Sequence, residues 1–246
     1  MTETQPSHTM SRTPLTAASE NRPATNGSGQ RPVSKVLHVG CGVFAVEKLP
    51  PIFRRPEWRE IRLDIDPAVH PDLVANITDM SDISSNAVDV VYSSHNLEHL
   101  YPHEVPMALR EMRRVLKPGG FAYIRLPDLQ EVARHVTEGN LDQPLYISPV
   151  GPISALDILF GHGASLARGN FFMAHRTGFT SATLGAALIA AEFAAVIVQR
   201  DPPAFGLDAV AFRSTPGKHD LTRTQAEILP APDRPAVLYT LRPEDD

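Results

Sequence analysis

Short apolar runs alternate along the chain with stripes at helical spacing, and the order of the two is the first clue to architecture. Lys35 to Val39 carries Val36, Leu37 and Val39 around one polar residue, His38, and breaks into Gly40-Cys41-Gly42. So short a run, closed by turn residues, reads as a buried parallel strand. Glu60 to Ile65 reads as a second strand closed by Asp66-Pro67, Leu73 to Ile77 as a short third, Ala87 to Tyr92 as a fourth and Phe121 to Leu126 as a fifth. Phe44 to Phe53 should supply the first helix, but Pro50 and Pro51 restrict it to an abbreviated or broken one. Asn96 to Leu100 starts a helix. After Pro102, the spacing of Val105, Leu109, Met112 and Leu116 predicts a longer one from about Glu104 to Leu116, stopped by Lys117-Pro118-Gly119-Gly120. Farther on, Thr180 is placed to cap an Ala- and Leu-rich helix that extends to about Ala191, and Phe193 to Gln199 and Leu207 to Arg213 are two more strand candidates.

Strand, helix, strand, repeated with short loops, argues for an open, mostly parallel sheet with helices on both faces. Three segments fall outside that pattern. Residues 1–31, rich in Thr, Ser, Pro, Asn, Gln and Gly and without an aromatic residue, are expected to be a disordered tail. Asn140 to Gly178 is an insertion far longer than an ordinary connection of about 4 to 6 residues. Residues 214–246 are expected to be a surface extension in which Ala236 to Leu241 could add one strand.

Composition narrows the class. A chain of 246 residues with 42% hydrophobic content can bury one sizeable core, so one domain with tails, over 32–213, is expected. The net charge of -5 gives no electrostatic footprint for a nucleic-acid partner. No run is apolar enough to span a bilayer, since Leu184 to Ala195 is short and interrupted by Glu192. The single cysteine, Cys41, leaves no internal disulfide or thiol cluster and fits a reducing, cytoplasmic setting.

Candidate chemistry gathers at the strand ends. Glycines at positions 40 and 42 let a ligand sit against bare backbone, and Asp64, ending the second strand, lies where a carboxylate accepts hydrogen bonds from ribose hydroxyls. Gly40-Cys41-Gly42-Val43-Phe44-Ala45 also satisfies the glycine pattern of dinucleotide-binding proteins, so a nicotinamide oxidoreductase is an alternative. A non-catalytic cofactor-binding protein is another. His95, His99 and His103 recur every fourth residue, but Pro102 interrupts them and no carboxylate or thiol is placed to complete a site, so no metal is expected.

The stretches VLHVGCG, LDIDP, VDVVYSSHNLEHL and LKPGGFAYIRLP stand in an order and spacing that resembles the class I S-adenosylmethionine-dependent methyltransferases. The resemblance is strong over roughly 32–126 and extends as a pattern of elements to about 213. It implies a seven-stranded, mostly parallel, doubly wound sheet with an antiparallel edge hairpin and, after the fifth strand, an insertion over its carboxyl edge. It implies S-adenosyl-L-methionine as cofactor, held by Gly40, Cys41, Gly42, Asp64, Ile65, Asp79, Met80, Ser94 and His95. Within that set Asp79 is expected near the adenine amino group with Met80 on the ring, and Asp66 is expected to stabilise the turn. His95 is the candidate catalytic residue, able to accept a proton from an acceptor or orient it. Tyr146, His162, Arg168, His175 and Arg176 are candidate contacts of a substrate lid closing over a small-molecule acceptor.

Overall fold

A computed structural model describes residues 10–14, 33–230 and 236–241. The strands are β1 (Met10–Pro14), β2 (Ser34–Val39), β3 (Trp58–Asp64), β4 (Leu73–Val74), β5 (Val88–Ser94), β6 (Leu116–Pro127), β7 (Pro144–Ser148), β8 (Gly151–Ser154), β9 (Ala195–Asp201), β10 (Gly206–Phe212) and β11 (Ala236–Leu241). The α-helices are α1 (Val105–Val115), α2 (Leu129–Thr137), α3 (Ala155–Phe160), α4 (Gly163–Ala167), α5 (Ser181–Ala190) and α6 (Lys218–Arg223).

Nine strands form the main sheet in the order β1-β11-β9-β10-β6-β5-β2-β3-β4. The five from β6 to β4 pair in parallel, which requires crossovers and leaves their carboxyl ends on one edge. β10 runs antiparallel to both β6 and β9. The doubly wound, mostly parallel class is therefore the one expected, with nine strands where seven were anticipated. β11 and β1 continue the sheet in antiparallel fashion beyond β9, so the β9–β10 pair is interior and not an edge hairpin.

These additions correct two expectations about the tails. Met10–Pro14 lies within the stretch expected to be disordered, yet it pairs along its length with β11; the remainder of 1–31 lies outside the described residues. Residues 214–246 are more than a surface extension. Ile228, Leu229, Ala236 and Tyr239 are buried against the sheet, because β9 otherwise exposes an unpaired edge and an apolar face.

α1 and α5 cover one face of the sheet. Val105, Ala108, Leu109, Met112 and Val115 fall on one stripe of α1 and are all buried, each larger side chain contributing about 1.5–3 kcal/mol. Thr180 caps α5, its hydroxyl accepting from the Thr183 amide at 3.3 Å. The opposite face is covered more thinly. The prolines at 50 and 51 reduce the first crossover to 3-10 turns at Val46–Lys48 and Pro51–Arg54, from which Leu49, Ile52 and Phe53 are buried against β2 and β5. Among the described residues, no helix is long and apolar enough to cross a membrane.

Candidate active site

The loops that leave β2, β3, β4 and β5 surround a cavity of about 230 Å³ at the carboxyl edge of the parallel strands, where open α/β sheets bind ligands. Gly40 and Gly42 form its floor with left-handed φ of 64° and 58°. A Cβ on Gly40 would stand 2.5 Å from Cγ of Asn96, so only glycine admits both this turn and the neighbouring loop. Side chains fix the turn from behind. Lys48 Nζ donates to Val43 O at 2.8 Å, and Arg62 Nη2 donates to Gly42 O at 2.5 Å.

Asp64 ends β3 beside that turn and is 9% exposed. Its Oδ2 accepts the Gly42 amide at 2.7 Å and its Oδ1 the Asp66 amide at 3.0 Å. An ionised carboxylate has about four acceptor sites, so two remain for a ligand. Asp66 also lines the cavity, but its Oδ1 accepts from the Ala68 amide at 2.9 Å and caps the turn Pro67–Val69. Ile65 is half exposed at the mouth.

Asp79 and Met80 do not meet the cavity. Met80 is fully buried in the core beneath α1: its amide donates to Glu111 Oε2 at 2.7 Å, and its carbonyl accepts from Arg114 Nη2 at 2.8 Å. Asp79 instead accepts the Ser81 amide at 3.1 Å within its turn. Asn76 and Ile77 line the cavity in their place. β4 ends at Val74, three residues earlier than anticipated, so the residues directly after it face the cavity. Cys41 is buried under the turn, where burial pushes its thiol up to about 11. Ser94 is half-buried on β5 and outside the lining.

The opposite wall comes from the loop after β5. His95 has a left-handed φ of 50°, uncommon for a residue with a side chain, and its imidazole lines the cavity. Its Nδ1 lies 3.3 Å from Oε1 of Glu98, which is 1% exposed. That distance is an ion-pair contact without hydrogen-bond geometry, since neither Glu98 oxygen accepts a hydrogen bond. Burial raises the Glu98 carboxyl, but His95, His99 and His175 together outweigh it and hold the group below its ordinary value.

The insertion docks on this wall through its backbone. Arg176 and Thr177 amides donate to Glu98 O at 2.8 and 3.2 Å, and Arg176 Nη1 donates to His99 O at 3.0 Å. Arg176 lines the cavity with Asn170, Phe172 and Met173, and its guanidinium lies 4.8 Å from the Tyr101 ring. Arg168 lines an adjoining open groove. His175 stands behind the wall, its ring edge-on to His99 at 4.9 Å. The expectation that no carboxylate is placed beside the histidines is corrected here, because Glu98 and His175 both meet His99. Tyr146 and His162 stand outside both concavities: Tyr146 stacks on Phe205, and His162 bonds Ser165 Oγ.

A second cavity of about 160 Å³, lined by Trp58, Phe121 and Phe212 together with Asp220, Arg223 and Thr224, lies apart from the glycine turn and Asp64. The carboxyl-edge cleft, on a sheet of this order, stands where Rossmann-like folds bind their ligands.

Residues 37–124, from β2 into β6, match the methyltransferase domain family. Over that stretch the chain is similar to methyltransferase domains, the resemblance its motifs carry. Comparison with curated protein sequences finds no match. Among solved structures, the PH0226 protein from Pyrococcus horikoshii OT3 is similar at a TM-score of 0.50 and 15% identity, over 72% of this chain and 81% of that one. A SAM-dependent methyltransferase from Methanosarcina mazei aligns at 0.49 and 14%, over 76% and 95%. The 1,6-didemethyltoxoflavin-N1-methyltransferase of Burkholderia thailandensis, solved with 1,6-didemethyltoxoflavin and S-adenosylhomocysteine, aligns at 0.48 and 17%, over 74% and 72%. At such identities the likeness concerns fold alone.

Proposed function

We propose that this chain transfers a methyl group from S-adenosylmethionine to a small-molecule acceptor held between the cleft and the insertion. The observation that carries the reading is Asp64, whose carboxylate faces the same cavity as the two left-handed glycines and keeps acceptor sites for ribose hydroxyls. Asn76 and Ile77, on the adjoining loop, offer an amide and an apolar surface suited to adenine. The competing dinucleotide reading is weaker, because the glycine turn leads into 3-10 turns and not into an α-helix whose amino terminus would hold a pyrophosphate.

When bound, S-adenosylmethionine supplies a methyl group on a cationic sulfur that is displaced in line by a nucleophile. The protein's part is to align that nucleophile and exclude water. His95 stands on the acceptor side of the cleft, and the buried Glu98 carboxylate beside Nδ1 favours the tautomer that leaves Nε2 free to take a proton. Asn170, Phe172, Met173 and Arg176 supply a mixed polar and apolar cover. That scale and composition suit a small molecule.

Calorimetry with S-adenosylmethionine, S-adenosylhomocysteine and NAD(P) tests the cofactor. Binding of the first two alone is expected, and binding of NAD(P) alone would overturn the reading. Incubation with S-adenosylmethionine and a metabolite extract, followed by mass spectrometry, should show an acceptor that has gained one methyl group.

A further inference from the structure

We propose that Glu98, His99 and His175 form a binding site for a divalent cation of the zinc or cobalt kind in the wall of the cleft. One ligand atom from each lies within 4.8 Å of the other two. A tetrahedral zinc site, with bonds of about 2.0–2.1 Å, needs ligand separations of roughly 3.4 Å, so side-chain rotation on the order of 1 Å closes the set.

The histidines are already arranged as ligands. His99 Nδ1 lies 3.1 Å from Ala174 O, and His175 Nδ1 lies 2.7 Å from Ile158 O. A carbonyl only accepts, so each Nδ1 carries its proton and each Nε2 presents a lone pair. Metal-ligating histidines are held by this same outer contact, which fixes tautomer and ring orientation.

Glu98 provides the independent observation. It is 1% exposed, neither oxygen accepts a hydrogen bond, and the cationic or polar groups around it are the imidazoles of His95, His99 and His175. A buried carboxylate whose closest partner is the His95 imidazole at 3.3 Å leaves acceptor capacity that is costly to bury unfilled. A dication would fill it. Two imidazole nitrogens and one carboxylate oxygen form a donor set that suits zinc and its first-row neighbours, whereas magnesium and calcium prefer oxygen alone.

The three residues come from two segments far apart in the chain, and backbone bonds hold the segments together. The Arg176 and Thr177 amides both donate to Glu98 O, so the approach of His175 does not depend on side chains that a cation would have to recruit. His99 lines the cavity, which leaves the open side of the site toward the cleft. Cation binding is measured without turnover, so its failure is distinguishable from failure of the methyl-transfer reading.

The test titrates the tag-free full chain with Co2+, followed by visible absorption, and with Zn2+, followed by calorimetry. One equivalent should bind with d–d bands of a low-coordinate site. Glu98→Gln and His175→Gln should each lose at least tenfold in affinity, while His219→Gln, on an exposed helix, should bind as the parent does. X-ray absorption of the zinc-loaded parent should count two imidazoles, and this holds the proposal to account even where a variant fails to fold. Absence of saturable one-to-one binding, equal affinity in both cluster variants, or a shell without two imidazoles would each overturn it.

Discussion

The glycine wall of the cleft, from Gly40 through Asp64 to Asn76, and the histidine wall, from Ser93 through His99 to His175, differ in where their polar groups find partners. On the glycine wall Asp64 takes up two amides, Asp66 caps its turn, and Lys48 and Arg62 hold the carbonyls of residues 41–43. Among the described residues, every buried side-chain polar atom without a hydrogen bond lies on the other wall, on Ser93, Asn96 and Glu98. Native proteins satisfy nearly all such atoms, so their concentration at the end of β5 and the loop after it, beside a left-handed His95, is where the fold tolerates cost. One wall is finished before anything binds. The other keeps buried polar atoms without partners.

The largest effect should come from the histidine wall. A base at His95 would contribute about a hundredfold or more to turnover. Once an acceptor is known, His95→Ala and His95→Asn should both lose that factor while cofactor affinity stays within about threefold, roughly 0.7 kcal/mol. Asn tolerates a left-handed backbone, so the second variant separates lost chemistry from a disturbed loop. Equal losses of binding and turnover would make His95 a packing residue and dissolve the contrast.

On the glycine wall, Asp64→Ala should weaken S-adenosylmethionine binding by about 1.5–3 kcal/mol, because ribose hydroxyls lose a charged acceptor and the Gly42 amide loses its partner. Asp66→Ala should cost affinity less and show mainly as a lost cap of about 1 kcal/mol in stability. Calorimetry and urea unfolding on the same pair read the two effects separately. The reverse pattern would move the ribose contact to Asp66.

A smaller effect distinguishes Asn76 from Asp79. Asn76→Ala should lower cofactor affinity by about 1 kcal/mol, one hydrogen bond's worth, whereas Asp79→Ala should leave it within about 0.5 kcal/mol. Calorimetry again decides. A loss confined to Asp79→Ala would mean that the turn below α1 rearranges on binding.

That pair shows where the sequence was legible and where it was not. The glycine turn and Asp64 could be read because both requirements are local: left-handed backbone at 40 and 42, and a carboxylate at the end of the next strand. Asn76 is not legible, because the apolar run continues to Ile77; with β4 ending at Val74, Asn76 stands at the sheet edge and lines the cavity. The sheet class followed from the order of apolar runs. β1 did not, since Met10–Pro14 has no periodicity and gains its order from pairing with β11. The first crossover's 3-10 turns were foreseeable from Pro50 and Pro51. The Glu98, His99 and His175 cluster was not, because His175 is brought to His99 by the insertion's fold, which the spacing of His95, His99 and His103 does not report.

The smallest effect concerns how the insertion is held over the histidine wall. α3 begins at a capping box in which Asp157 Oδ2 accepts from the Ser154 amide at 2.9 Å and the Ser154 hydroxyl at 2.6 Å, while Oδ1 accepts the Gly163 amide at 2.8 Å. Burial raises the Asp157 carboxyl, but these donors outweigh it and hold the group below the usual carboxylate range. The unfolded segment therefore takes up a proton first as pH falls. The stabilisation is complete above about pH 4, the unfolded value, and is lost as pH falls through the folded value. Asp157→Ala should accordingly cost about 1 kcal/mol at neutral pH, seen as faster amide hydrogen exchange over 155–160, and the difference from the parent should shrink in acid. Cofactor affinity should hold, since the hydrogen bonds of this cap run among Ser154, Asp157 and Gly163, and the residues that line the cleft are not among them. A fall in affinity equal to the fall in protection would mean that the two walls form as one unit.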